Sequence, residues 1–155
     1  MRSVHDWLAE YGTSHEHRLN KTLHWICVPL IVFAVLGLLW AIPVPPALAA
    51  GGPFANWAVI AALGSLGYYA WLAPRLALGM LPLVALALLV LERLAAGPLA
   101  LWRVSLAIFV VAWIGQFIGH AVEGRRPSFF KDVQFLLIGP LWLLGAAYRR
   151  LGLRY

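Results

Sequence analysis

The sequence predicts an all-α, polytopic membrane protein with four spans, a short fifth helical or re-entrant segment, and an N-terminal amphipathic helix. Of its 155 residues, 63% are hydrophobic and 12% are charged, whereas soluble domains carry about 25% charged residues. Proline and glycine divide the apolar residues into runs near the length of about 20 residues that a bilayer-crossing helix needs. We expect residues 1–155 to form a single helical membrane domain.

The first residues, MRSVHDWLAEY, are polar and amphipathic, unlike the short basic lead of a signal peptide. His5 is expected on the exposed face of this helix with Asp6 and Glu10. Although Ala47 and Ala49 imitate a cleavage site, the preceding apolar run is too long for a signal peptide. The first span is therefore expected to remain as an uncleaved anchor.

Four apolar runs have the composition of spans, and breakers such as Pro43, Pro53, Pro74 and Pro98 separate them. A fifth run is shorter and is interrupted by Gly139 and Pro140, which indicates a kinked span or a re-entrant segment. The predicted spans are His24–Ile42, Phe54–Leu72, Leu76–Leu94 and Leu99–Gly119, and the fifth segment is Val133–Tyr148.

The distribution of cations predicts the orientation, because loops rich in Lys and Arg stay on the cytoplasmic side. Several cations precede the first span, whereas the chain carries no charge between Trp40 and Arg75. The N-terminus is thus expected in the cytoplasm, with an even number of crossings. The expected location is a bacterial inner membrane. A net charge of +6 on so apolar a chain favours lipid headgroups or an acidic substrate over nucleic acid.

The first polar cluster is HEHRLNKTLH, residues 15–24, directly before the first span. Thr13 and Glu16 have the spacing of a capping box, which predicts a helix that begins near Ser14. On that helix His17, Asn20 and His24 would share one face. His15 would point elsewhere unless the first turn is unwound.

The second polar cluster, WIGQFIGHAVEGRRP, closes the fourth span. Gln116, His120 and Glu123 are spaced to share a helix face, and Gly115 and Gly119 allow a neighbouring helix or a ligand to approach closely. Because the predicted topology places the start of the first span and the end of the fourth at one surface, we expect His24 and His120 to meet.

Neutral imidazoles suit iron, zinc or copper, whereas the single cysteine, Cys27, excludes a thiolate cluster within the chain. Neither an HExxH motif nor a GxSxG motif is present. The residues leave open a metal-dependent oxygenase, a bis-histidine haem protein, a zinc-dependent lipid hydrolase and a non-enzymatic scaffold.

The pattern of Tyr11, His15, Asn20, His24 and Pro29, followed by WIGQFIGHAVEGRRPSFFKDVQFLLIGPLW, narrows these alternatives. It resembles the family of small membrane proteins that includes a yeast endoplasmic-reticulum 2-hydroxy fatty acid dioxygenase. The likeness covers nearly the whole chain. It implies an Fe(II)-dependent dioxygenase that takes a 2-hydroxy fatty acid and dioxygen at the membrane and gives the product one carbon shorter (fatty acid α-oxidation).

The resemblance implies His15, His24 and His120 as metal ligands. His17 is the alternative or fourth ligand: helix periodicity favours it over His15, whereas the family pattern favours His15, which we rank first. This chain departs from the yeast-type pattern, which has two adjacent histidines where His15 and Glu16 stand here.

Polar residues near the histidines receive supporting roles on this hypothesis. Asn20 and Gln116 would orient imidazoles, with Gln116 also facing the substrate, and Glu123 would fix a tautomer or bind the metal. Arg125 and Arg126 would steer the substrate carboxylate. The sequence does not specify an oligomeric state.

Overall fold

The computed structural model describes residues 2–127 and 134–155, and all regular structure in these two ranges is helical. The prediction of an all-α fold is confirmed. The helices are α1 (Val4–Gly12), α2 (Arg18–Trp40), α3 (Pro46–Ala49), α4 (Trp57–Leu72), α5 (Pro74–Ala95), α6 (Leu101–Glu123) and α7 (Phe135–Arg150).

Three of these helices, α2, α5 and α6, are long and apolar enough to cross a membrane. At 1.5 Å per residue, their 22 or 23 residues extend about 33–35 Å, which exceeds a hydrocarbon core of about 30 Å. The predicted second span is shorter than expected. Asn56 caps α4 by accepting a hydrogen bond from the amide of Val59, so the helix begins at Trp57 and has 16 residues.

The helix that forms the first span does not begin near Ser14, so this prediction is wrong. Helix α1 ends at Gly12 with Thr13 as its C-cap, and the hydroxyl of Thr13 donates to the carbonyl of Glu10. Helix α2 begins at Arg18 with His17 as its N-cap. The residues between α1 and α2 therefore form a turn. A capping box does exist, but it joins Ser3 and Asp6 at the start of α1.

The pair α2 and α6 is the most extensive helix contact of the described chain. A Cβ atom added at Gly119 would lie 2.5 Å from Oδ1 of Asn20, and one at Gly115 would lie 2.7 Å from Sγ of Cys27. Both glycines thus serve the close approach of a neighbouring helix, one of the two uses expected for them. Because α2 and α6 are antiparallel, the start of α2 lies beside the end of α6.

Two clusters of buried apolar side chains stabilise the bundle. One lies where α2 ends and α6 begins, and it includes Leu36, Leu91 and Leu101. The other joins α1, α4, α5 and α7 near the start of α2, and it includes Trp7, Leu76 and Ile138. The second cluster supports the polar residues described below.

The predicted fifth segment is helical from Phe135 to Arg150 and contains Pro140. Val133, its predicted first residue, lies outside the described residues. The buried face of α1 packs on α7, and His5 lies on the exposed face. The hydroxyl of Tyr69 donates to the carbonyl of Leu137, and the hydroxyl of Tyr148 donates to that of Arg75. Helix α7 thus contacts the end of α4 and the start of α5.

Candidate metal centre

Three histidines from three parts of the chain meet at the start of α2. Each of His15, His24 and His120 offers one ring nitrogen, and these nitrogens all lie within 4.8 Å of one another. The ring centroids of His24 and His120 are 5.1 Å apart, which confirms the predicted meeting of these two residues. A group of this kind can hold a metal ion.

Different elements position each imidazole. His24 lies within α2, and His120 lies in the last turn of α6. His15 belongs to the turn between α1 and α2, where its ring stacks on Tyr11 at a centroid distance of 4.2 Å and also contacts Trp142. The first two positions follow from helix pairing, whereas the third depends on the conformation of the turn.

The hydrogen bonds of His15 and His24 determine which ring nitrogens are available. Nδ1 of His15 lies 2.6 Å from the carbonyl oxygen of Tyr11, and Nδ1 of His24 lies 3.0 Å from that of Asn20. Because a carbonyl only accepts, both Nδ1 atoms must carry the proton and donate it. Both neutral rings therefore present an unprotonated Nε2.

The two Nε2 atoms of His15 and His24 face each other at 2.8 Å. Two lone pairs at this distance repel unless a proton or another cation lies beside them. His120 adds a buried Nδ1 that has no hydrogen-bond partner among the described residues. The donor set thus fits a metal ion that prefers neutral imidazole ligands.

All three imidazoles are buried. His15 is 1% exposed, His24 is 2% exposed and His120 is 5% exposed. Burial lowers the pKa of His15 to about 4, because the charged ring loses its hydration. At pH 7 the lone pair on Nε2 of His15 is therefore free of a proton.

His17 lies outside this group. Its side chain is exposed and caps α2 by accepting a hydrogen bond from the amide of Leu19. The predicted stripe of three residues on α2 begins only at Asn20, because the helix starts after His17. Of the two alternatives, the turn brings His15 to the other histidines.

Glu123 also lies outside the group of three nitrogens, and its carboxylate binds the turn before α2. Oε1 accepts from the amide of Glu16 at 2.8 Å, and Oε2 accepts from the amide of His17 at 2.9 Å and from Nδ2 of Asn20 at 3.0 Å. These bonds connect the end of α6 with the residues that follow His15.

The two predicted amides are both buried. Nδ2 of Asn20 also donates to the carbonyl of Ser14, so this side chain connects the turn with α2 and Glu123. Gln116 lies one helical turn before His120 and lines a cavity beside the histidines. The geometry is compatible with the supporting roles expected for both residues.

Arg125 and Arg126 follow α6 directly, and both are exposed. Arg125 donates to the carbonyl of Thr13 and lies 3.8 Å from the carboxylate of Glu16. Arg126 precedes Pro127, which lines the cavity. Arg125 therefore contacts the turn, and its role in binding the substrate stays a prediction.

The cavity beside the histidines has a volume of about 60 Å³. It has polar groups at one end and becomes apolar along α2, α6 and α7. A larger apolar groove of about 630 Å³ lies between α2, α5 and α7, and the two share Val28 and Val32 as wall residues. The other apolar residues of the smaller cavity include Ile31, Trp113, Phe135 and Leu136.

Two aromatic residues were not assigned to the site by motif spacing. Tyr11 belongs to the family-like pattern, but its stacking on His15 and its carbonyl bond emerge only when α1 and the turn are folded. Trp142, which lies 5.4 Å from His15 between ring centroids, carried no signal beyond its aromatic type.

Comparison with known proteins identifies the family of the chain. Residues 1–151 match the family described as "2-hydroxy-palmitic acid dioxygenase Mpo1-like". The chain is 29% identical over 147 residues to the 2-hydroxy-palmitic acid dioxygenase MPO1 of Saccharomyces cerevisiae, which covers 94% of this chain and 79% of the yeast protein. No solved structure matches the chain. Because the match to the family extends over nearly its whole length, the chain belongs to the Mpo1-like family.

Proposed function

We propose that this protein is an Fe(II)-dependent dioxygenase that shortens 2-hydroxy fatty acids by one carbon. The observation that carries the proposal is the pair of unprotonated Nε2 atoms of His15 and His24, which face each other beside His120. The name of the yeast relative, a 2-hydroxy-palmitic acid dioxygenase, supplies the substrate class.

The proposed reaction balances with dioxygen alone. The bond between carbons 1 and 2 breaks, carbon 1 leaves as carbon dioxide, and carbon 2 becomes the carboxyl carbon of the shorter acid. This oxidation releases four electrons, which reduce one dioxygen molecule, and one water is formed. Fe(II) held by His15, His24 and His120 would supply the redox chemistry and a template for the substrate oxygens.

The residues of the chain hold and orient the reactants. The carbonyls of Tyr11 and Asn20 fix the Nδ1–H tautomers of His15 and His24, which directs both Nε2 atoms to the centre. Gln116 lines the cavity one turn from His120 and is proposed to contact the bound substrate.

Arg125 and Arg126 are proposed to attract the substrate carboxylate at the end of α6. The carboxylate of Glu16 lies 3.8 Å from Arg125, so part of the Arg125 charge is already balanced. Arg126 is the stronger candidate for this role, because it is exposed beside a cavity-lining residue.

The acyl chain is proposed to lie along the apolar face of α2. The cavity wall runs from His24 to Val32, eight residues or about 12 Å of helix. A volume of about 60 Å³ admits only a polar head, so the chain must continue past Val28 and Val32. Each buried CH₂ group contributes about 0.8 kcal/mol to binding.

The membrane orientation is also part of the proposal. The cations at the histidine end are Arg2, Arg18, Lys21, Arg75, Arg125, Arg126, Arg149, Arg150 and Arg154, whereas Arg93 and Arg103 lie at the other end of the described chain. This asymmetry supports a cytoplasmic N-terminus, and the proposed location is a bacterial inner membrane. The contacts of α7 with the end of α4 and the start of α5 support a helix that stays on the cytoplasmic side.

A zinc-dependent lipid hydrolase is the second candidate, because three histidines are also a known ligand set of catalytic zinc. Haem is less compatible: the rings of His24 and His120 pack at 86° with centroids 5.1 Å apart, and a porphyrin must fit between its two axial imidazoles. A scaffold without a metal leaves the opposed Nε2 atoms unexplained.

The deciding experiment is anaerobic purification in detergent, metal quantification, and incubation with Fe(II), 2-hydroxypalmitate and dioxygen. We expect one bound iron and equal amounts of consumed oxygen, released carbon dioxide and the 15-carbon acid. Ester hydrolysis with bound zinc and no oxygen uptake would instead establish the hydrolase.

A further inference from the structure

We infer that Glu123 is a positioning residue of the proposed metal centre, holding the turn of residues 14–17 so that His15 reaches His24 and His120. The inference rests on the proposed function only in that these three histidines bind a metal. It replaces the two roles expected from the sequence, tautomer selection and direct ligation, with a mechanical one.

His15 has no helix to position it. It follows α1 and precedes α2, whereas His24 and His120 lie within long helices. Its backbone amide donates to the carbonyl of Gly12 at 3.0 Å, which connects it to the end of α1. The other side of the turn requires a separate attachment.

Glu123 provides that attachment from the end of α6. It accepts hydrogen bonds from the amides of Glu16 and His17, 107 and 106 residues away in sequence. These two amides precede the first turn of α2 and therefore have no carbonyl within that helix to bind. A carboxylate is a strong acceptor for such groups, because hydrogen bonds to an ionised acceptor are stronger than neutral ones.

Asn20 makes the attachment specific. Its Nδ2 donates both to Glu123 and to the carbonyl of Ser14, and its own carbonyl receives Nδ1–H of His24. Glu123 and Asn20 thus connect the residue before His15 with the two residues after it. Through its main-chain carbonyl, Asn20 also connects them with the tautomer of His24. Because Glu123 and His120 share the last turn of α6, the attachment also fixes the turn relative to the third ligand.

The test uses the full chain in detergent with copper(II) as a probe. Every variant also carries His17→Asn, which removes the other imidazole of the turn and keeps a residue type that favours the N-cap position. Electron paramagnetic resonance at less than one equivalent of copper counts the coordinated nitrogens, and chelator competition with zinc gives the affinity. Glu92→Gln is the matched charge control, because Glu92 lies near the C-terminal end of α5, away from the histidines.

We expect three coordinated nitrogens in the His17→Asn parent and in the Glu92→Gln control. Glu123→Ala should leave two nitrogens and lower the zinc affinity about 10- to 100-fold, the usual effect of removing a group that supports a ligand. Glu123→Gln should keep three nitrogens with a smaller affinity loss, because one amide oxygen still accepts. A merely structural role would change thermal stability without changing the nitrogen count.

Three nitrogens with parental affinity in Glu123→Ala would overturn the inference, and so would loss of the whole centre. If Glu123→Ala does not fold, Glu123→Gln decides, and parental zinc affinity in that variant would overturn it. A parent protein that does not bind copper through three nitrogens would instead contradict the proposed function. The two failures are therefore distinguishable.

Discussion

Nε2 of His15 and Nε2 of His24 lie 2.8 Å apart, although nine positions and the start of a helix separate the two residues. Each ring has its Nδ1 committed to a backbone carbonyl. The protein therefore holds two electron pairs against each other in a buried place, an arrangement that a bound cation stabilises.

Removing either facing imidazole should remove the metal. We expect His15→Gln and His24→Gln to lose more than 90% of bound iron, measured by metal analysis after anaerobic reconstitution, because two nitrogens remain where three bind. His17→Asn should keep its iron, since His17 caps α2 outside the group. Iron loss in His17→Asn with retention in His15→Gln would reverse the ligand assignment.

Gly119→Ala should disturb the centre through packing. The new Cβ would lie 2.5 Å from Oδ1 of Asn20, so Asn20 must move, and its bonds to the turn would weaken. We expect a destabilisation of about 1–3 kcal/mol by thermal or denaturant unfolding, together with weaker metal binding. Gly67→Ala is the control, because nothing lies within 4 Å of a Cβ at that position; similar losses in both variants would contradict the explanation.

A bulky residue on the shared wall of the two cavities should change chain-length selectivity. Val32→Trp should raise the KM for 2-hydroxypalmitate at least tenfold and leave that for 2-hydroxyhexanoate nearly unchanged, because only the longer chain must pass this wall. Val35→Trp makes the same change on an exposed position of α2 and should have little effect. Equal KM changes for both substrates in Val32→Trp would argue against the proposed path.

The cations after α6 should differ in their effects. Arg126→Ala should raise KM about tenfold for the carboxylic acid with unchanged iron content, since it removes a steering charge without touching the turn. Arg125→Ala should also lower iron content, because Arg125 donates to the carbonyl of Thr13. Unchanged kinetics in Arg126→Ala would remove this residue from substrate capture.

The sequence was sufficient to predict the apolar helices and the meeting of His24 with His120. Hydrophobic length and breaker residues indicate where helices run, and the charge distribution predicts which ends share a surface. Both signals are local properties of the chain, so they can be read without coordinates. The start of α2 was predicted wrongly, because the Thr13–Glu16 spacing fits a capping box that the folded chain does not form.

Only the tertiary structure shows that His15, and not His17, lies beside His24 and His120. The turn that carries His15 is held by Glu123 from more than 100 residues away, and no periodicity within residues 13–24 reports such a bond. The same holds for Tyr11, whose carbonyl orients His15 only once α1 ends beside the turn. Helix propensity and apolar burial specify elements from nearby residues, whereas the position of a ligand in a turn depends on long-range hydrogen bonds that exist only after the helices have packed.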